Sequence, residues 1–285
     1  MHQTVTGGSR PAQWVGWIAV FTLAFIQPLT RLVQHALQSE LHSYIPLVPF
    51  VAGYLLYIQR RTRASTYATS IGGTILLGGV AAAALVAWIM WRGSLSINDG
   101  LAVLALAYVS LVAGGGYLFL GAKWMASAAF PIGFLIFMVP LPDAVVHEME
   151  TALVLASADV SAVLFRVTGT PLVRDGQQFM LPGIVLKVAQ ECSGIHSTWV
   201  LFITSLVASH LFLKRPWRRI LLVAFVIPLA IARNAFRILV IGLLCVYIGP
   251  HMIDSIIHRH GGPVFFALSL APLFLLLWWL RRQER

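Results

Sequence analysis

Long apolar runs dominate the pattern of this chain. They fall at Trp14 to Leu29, Tyr44 to Ile58, Gly72 to Trp91, Leu101 to Leu120, Ala126 to Leu141, Ile195 to Leu213, Ile220 to Ile248 and Val264 to Leu280. A helix crosses a hydrocarbon core with about 20 mostly apolar residues. The pattern therefore predicts an all-α polytopic membrane protein with about eight transmembrane helices. A membrane β-barrel would instead show short segments of alternating polarity. No small-x-small cleavage site follows Leu29, so the first run is expected to be retained and not removed as a signal peptide.

The longest connection, Pro142 to Gly194, lies between spans five and six and changes period halfway. From Asp143 to Arg166, polar His147, Glu150 and Thr151 interleave with apolar Val146, Met149 and Leu153, which suits a helix on or dipping into the membrane interface. Beyond it, Leu172-Val173-Arg174, Phe179-Met180-Leu181 and Ile184 to Val188 read as short strands, punctuated by turns at Asp175-Gly176 and Pro182-Gly183. This connection is expected to form a small α/β-like cap. With no internal repeat and no low-complexity tract, residues 1–285 read as a single integral membrane domain.

Composition agrees with the pattern. The 285 residues are 59% apolar and 11% charged, against roughly 45–50% and about 25% in soluble domains. Such apolar content excludes intrinsic disorder, and two cysteines exclude a disulfide scaffold. The charge of +10 comes from 20 Lys and Arg against 10 Asp and Glu. Lys and Arg concentrate on the cytoplasmic side of spanning helices, so a basic balance is ordinary for an inner-membrane protein. With the N-terminus in the cytoplasm, twelve of the twenty fall on the cytoplasmic side, among them Arg60, Arg61, Arg63, Lys214, Arg215, Arg218 and Arg219. Six, including Arg31, Arg92, Arg166 and Arg174, fall opposite, and Arg233 and Arg237 lie inside a span. The cap then faces the periplasm or exterior. Zinc-finger spacing, an aromatic and basic RNA-binding box and a long basic tail are all missing, so nucleic acid is not an expected partner.

Three groups carry candidate chemistry. Cys192, in Glu191-Cys192-Ser193-Gly194, sits where the strand-like segment meets the sixth span. A thiol near helix N-terminal amides gains thiolate character and oxyanion donors, although a free cysteine is also an ordinary small hydrophobe. Arg233 and Arg237 are four apart on the seventh span. Intramembrane arginine points to a polar cavity or a partner, and its alternative is a snorkelling side chain, which suits Arg233, expected nearer the cytoplasmic half. Arg237 precedes the outer end near Gly249 by some 18 Å of helix, less if the segment breaks at Pro228. His258 and His260 flank Arg259 in the last outer loop, and either imidazole suits acid or base chemistry near neutral pH. No compact ligand spacing marks a metal site, and no cofactor is expected.

Cys192-Ser193-Gly194 followed by a span, Pro228-Leu229-Ala230 leading into Asn234-x-x-Arg237-Ile238, and His258 with Gly262 and Phe266 ahead of a last apolar run resemble, in order and spacing, the three blocks of the exosortase/archaeosortase family. The resemblance covers residues 140–280, the expected catalytic core. Residues 1–125 agree only in hydrophobic pattern and in the Arg60-Arg61 end of the second span. The resemblance implies a membrane-embedded cysteine protease or transpeptidase. Its substrates would be exported proteins with a C-terminal sorting motif, a spanning helix and a basic tail, cleaved and passed to an acceptor. It implies Cys192 as nucleophile, Arg237 as essential arginine and His258 as the third catalytic residue, histidine there favouring the bacterial exosortase branch. The block His258-Arg259-His260-Gly261-Gly262-Pro263 departs from the family in lacking an acidic residue after the histidine and tryptophan at Pro263, which leaves His260 as the alternative base. Two other classes compete with this reading: a transporter or channel with an anion path lined by Arg233 and Arg237, and an inactive receptor for sorting signals.

Overall fold

A computed structural model describes residues 9–61, 67–187, 194–254 and 262–284. Twelve α-helices lie among the described residues, as expected where lipid leaves no water to satisfy backbone polar groups. Five stretches are long and apolar enough to span: Ile71–Trp91, Ile97–Phe119, Ile195–Phe212, Pro216–Tyr247 and Val264–Arg282. Two bent pairs, Ser9–Ala24 with Ile26–Gln38 and Ala129–Met138 with Asp143–Val167, bring the number to as many as seven. By length and composition, and among the described residues, that is fewer than the expected eight.

Proline explains the breaks. A helical proline cannot donate to the carbonyl four residues earlier, but it is tolerated in a first turn. Pro28 therefore stands in the first turn of α2 (Ile26–Gln38), after α1 (Ser9–Ala24) has ended, and α2 turns away from α1 by 74°. Pro131 likewise stands in the first turn of α7 (Ala129–Phe134), separated from α6 (Ala122–Ser127) by Ala128. The expected fifth span, Ala126 to Leu141, is thereby reduced to short pieces ending in a 3-10 turn at Leu135–Met138. The expected second span contains only α3 (Val48–Ile58), whose 11 residues rise about 16 Å, half a hydrocarbon core.

The chain divides into two compact units, residues 1–143 and 144–285. In the first, α5 (Ile97–Phe119) is the central, most buried helix, paired with α4 (Ile71–Trp91). Small residues let neighbours approach it closely, since in lipid the gain comes from packing. Cβ atoms added at Gly115 and Gly116 would strike Trp17 and Met125. The indole N–H groups of Trp14 and Trp17 donate to the carbonyls of Val112 (3.1 Å) and Leu111 (2.9 Å). Beside this helix, outside the spans, His42 is buried with Ser39 Oγ 3.2 Å from its Nδ1. Burial, reinforced by nearby His35 and opposed by Asp143, pushes its pKa down to about 4.

The second unit begins with α8 (Asp143–Val167), the helix expected there. The strands expected after it form an antiparallel meander of β1 (Val173–Asp175), β2 (Gln178–Leu181) and β3 (Ile184–Lys187), with Gly176 and Gly183 at positive φ in the two turns. Alternation along β2 turns Phe179 and Leu181 inward. They join Val154, Ala158 and Phe165 of α8 and Ile238, Leu239, Ile241 and Cys245 of α11 (Val226–Tyr247) in one apolar core. Cys245 thus serves as a small buried hydrophobe.

A second core joins α9 (Ile195–Phe212), α10 (Pro216–Ala224) and α12 (Gly262–Arg282) through Leu201, Leu222, Leu273 and Leu277. At the Leu213 to Arg215 connection, Glu284 accepts the backbone N–H groups of Lys214 (2.7 Å) and Arg215 (3.0 Å) and lies 3.7 Å from Arg218. These contacts hold its carboxyl below the usual range.

Candidate active site

The site is built around the N-cap of a helix. Gly194 caps α9 with φ +68 and ψ 19, a left-handed conformation in which a side chain is strained. Its carbonyl accepts the backbone N–H of Thr198 (3.0 Å), the hydroxyls of Thr198 (2.8 Å) and Ser197 (3.0 Å), and Nη2 of Arg233 (3.1 Å). The same Nη2 donates to Thr198 Oγ1 at 3.1 Å. A Cβ added at Gly194 would lie 3.0 Å from Arg233 Nη2 and 3.7 Å from Asn234 Oδ1. Glycine is required twice, by its dihedrals and by the guanidinium pressed against it.

Helix arithmetic explains why Arg233 meets Gly194. The 18 residues of α9 descend about 27 Å to the connection, and from Pro216 the 17 steps to Arg233 climb about 26 Å back. The break at Phe225, three residues before Pro228, leaves Pro216–Tyr247 as one span. Arg233 and Gly194 therefore sit level, nearly a hydrocarbon thickness from the basic cluster Lys214, Arg215, Arg218 and Arg219. Arg233, only 8% exposed, is held on Gly194 and not snorkelling.

Further buried polar atoms lie on the same two helices. Arg233 Nη1 and Asn234 Nδ2 are buried with no hydrogen-bond partner among the described residues, as is His196 Nδ1. Arg237 follows Arg233 by one turn, about 6 Å further along α11, and is half-buried. Cys192, His258 and His260 lie outside the described residues, Cys192 two positions before Gly194 in the chain. Of the expected residues the structure thus describes Arg237, and it adds Arg233, Thr198 and Gly194. The sequence signals for Arg233 were its place inside an apolar span and its spacing of four from Arg237. Among the described residues no group of three His, Cys, Asp or Glu is placed to hold a metal ion.

No curated protein and no solved structure matches the chain. The family model for transmembrane exosortase (Exosortase_EpsH) matches residues 36–275. That stretch contains Cys192, Gly194, Arg233, Arg237 and His258, and it reaches well ahead of residue 140, where the resemblance in short motifs begins. A polytopic helical chain whose family signature runs from α2 into α12 and encloses this cluster belongs to the transmembrane exosortase family.

Proposed function

We propose that the protein is a cysteine endopeptidase or transpeptidase that cleaves the C-terminal sorting signals of exported proteins, with Cys192, Arg237 and His258 as its reacting groups. The observation that carries this reading is the Arg233 contact with Gly194. It anchors the backbone immediately after the Cys192-Ser193 pair to the helix that bears Arg237, inside the family-matched segment.

The chemistry follows from the side chains. The Cys192 thiolate attacks the carbonyl carbon of the scissile peptide bond, forming a C–S bond and an oxyanion that Arg237 stabilises. The imidazolium of His258 gives its proton to the leaving amine as the C–N bond breaks, leaving a thioester. An acceptor amine or water then attacks the thioester and releases the thiolate, so the acceptor decides between transfer and hydrolysis. Arg233, held on Gly194, acts as a positioning residue. The level of Gly194, about 26 Å from the basic connection, supports chemistry at the non-cytoplasmic leaflet of the inner membrane. The substrate's own helix would then lie in the bilayer with its basic tail cytoplasmic.

The test is co-expression with an exported protein that ends in a short motif, a spanning helix and a basic tail, followed by intact-mass measurement. Wild type should yield a product with a new C-terminus, while Cys192→Ala should accumulate the uncut chain. A thioester of wild type should be released by hydroxylamine. Processing by Cys192→Ala at the wild-type rate would overturn the proposal and leave the transporter reading. Substrate bound by both proteins and cut by neither would leave the inactive receptor.

A further inference from the structure

The first unit holds a groove of about 1070 Å³ that plays no part in the chemistry above. It lies between α2, the end of α4 and the start of α5. Its walls differ in character. Gln27, Arg31, Gln34 and Gln38 recur at helical spacing on α2 and all line it. On another face of that helix, Leu32 and Ala36 are 2% and 0% exposed. Leu85 and Ile89 of α4 and Leu101 and Leu104 of α5 supply an apolar wall. The 74° turn at Phe25 gives α2 its own direction, so the polar stripe is set beside apolar spans and not along one of them.

The groove is cationic. Arg31 lines it from α2, and Arg92, whose guanidinium lies 5.9 Å from the Trp88 ring centroid, lines it from the end of α4. No carboxylate residue lines it, and neither arginine forms an ion pair among the described residues. Ser96 and Ile97 bring the positive end of the α5 dipole to the same space. The acid of that first turn, Asp99, accepts the backbone N–H of Asp143 at 2.9 Å and does not line the groove.

We propose that this groove binds an anionic phospholipid, its phosphodiester between Arg31 and Arg92 and its acyl chain along Leu85, Ile89, Leu101 and Leu104. Arginine suits phosphate because its planar fork donates two parallel hydrogen bonds. The apolar wall favours an acyl chain over a soluble anion, and the volume, at the upper end of ligand sites of about 300–1,000 Å³, exceeds what a headgroup needs. A choline headgroup is disfavoured because its quaternary ammonium would stand near two arginines with no carboxylate to balance them.

The experiment uses full-length protein in detergent with short-chain phosphatidylglycerol, short-chain phosphatidylcholine or glycerol 3-phosphate. Native mass spectrometry and displacement of a fluorescent anionic lipid read occupancy. Phosphatidylglycerol should bind at least tenfold tighter than phosphatidylcholine and raise the melting temperature, and glycerol 3-phosphate should do neither. R31Q/R92Q should lose the preference while processing substrate like wild type, because neither arginine belongs to the catalytic machinery. Equal binding of the two lipids, or an undiminished preference in R31Q/R92Q, would refute the proposal. Binding of glycerol 3-phosphate as tight as that of phosphatidylglycerol would refute the lipid in favour of a soluble phosphate. Displacement on wild type decides between the lipids even if the double variant does not fold.

Discussion

Replacing Arg233 by Met separates positioning from stability. Arg233 is 8% exposed, and burying an isolated charge in a membrane helix costs about 2.5–3.5 kcal/mol on insertion scales. Against this, its hydrogen bonds to Gly194 O and Thr198 Oγ1 are charge-assisted, worth about 1.5–3 kcal/mol each. Both use one nitrogen, Nη2, so together they are worth less than two independent bonds. The Gly194 carbonyl keeps the Thr198 amide and the Thr198 and Ser197 hydroxyls as donors, so no buried acceptor is orphaned. Met fills most of the volume. Gain and loss nearly cancel, and the melting temperature of Arg233→Met in detergent should stay within a few degrees of wild type. Processing should not survive so well. Without Nη2 the turn after Cys192 loses its tie to the helix carrying Arg237, and misplacement by about 1 Å costs on the order of 100-fold. Single-turnover cleavage read by intact mass should fall by roughly 10- to 100-fold, with Arg233→Lys intermediate because an ammonium keeps the charge but not the fork. Cleavage by Arg233→Met at the wild-type rate would refute the positioning role. A collapse in melting temperature would show that the arginine holds the fold.

Gly194→Ala places a Cβ at φ +68 and 3.0 Å from Arg233 Nη2, so it should cost about 1–2 kcal/mol in stability and lower cleavage more than a surface Gly→Ala control, measured by the same two assays. Gly242→Leu should be destabilising by about 1–3 kcal/mol or more, seen as a lower melting temperature, because a Cβ at Gly242 already strikes the Phe165 ring between α11 and α8. His42 has its pKa lowered from 6.5 to about 4, so the unfolded chain takes up its proton first as pH falls. Its contribution to stability is whole above about pH 6.5 and declines toward pH 4. Melting temperatures across that window should fall less steeply for His42→Gln than for wild type, and parallel curves would contradict the assignment.

Much of the architecture was legible in the chain. The meander was marked by Asp175-Gly176 and Pro182-Gly183, where only glycine enters positive φ without strain, and by the alternation of Phe179 and Leu181. The helix from Asp143 was legible from its mixed apolar pattern. The family blocks were legible because chemistry fixes residue types and order. The number of spans was less legible, because hydropathy measures how apolar a run is and says nothing of its straightness. Pro28 and Pro131 are each a single residue in an otherwise apolar stretch, yet each removes the backbone donor that would carry a helix through.

The sequence by itself determined that the chain is helical and lives in a membrane, which turns of the meander need glycine, and which family it joins, since each depends on local composition or ordered residue types. Only the tertiary structure decided that Arg233 closes on Gly194 and that Arg31 and Arg92 share a groove. Arg233 and Gly194 are 39 positions apart. They meet because two antiparallel helices of matched rise fold back from Lys214 and Arg215, a relation of length and direction that no window of the sequence contains.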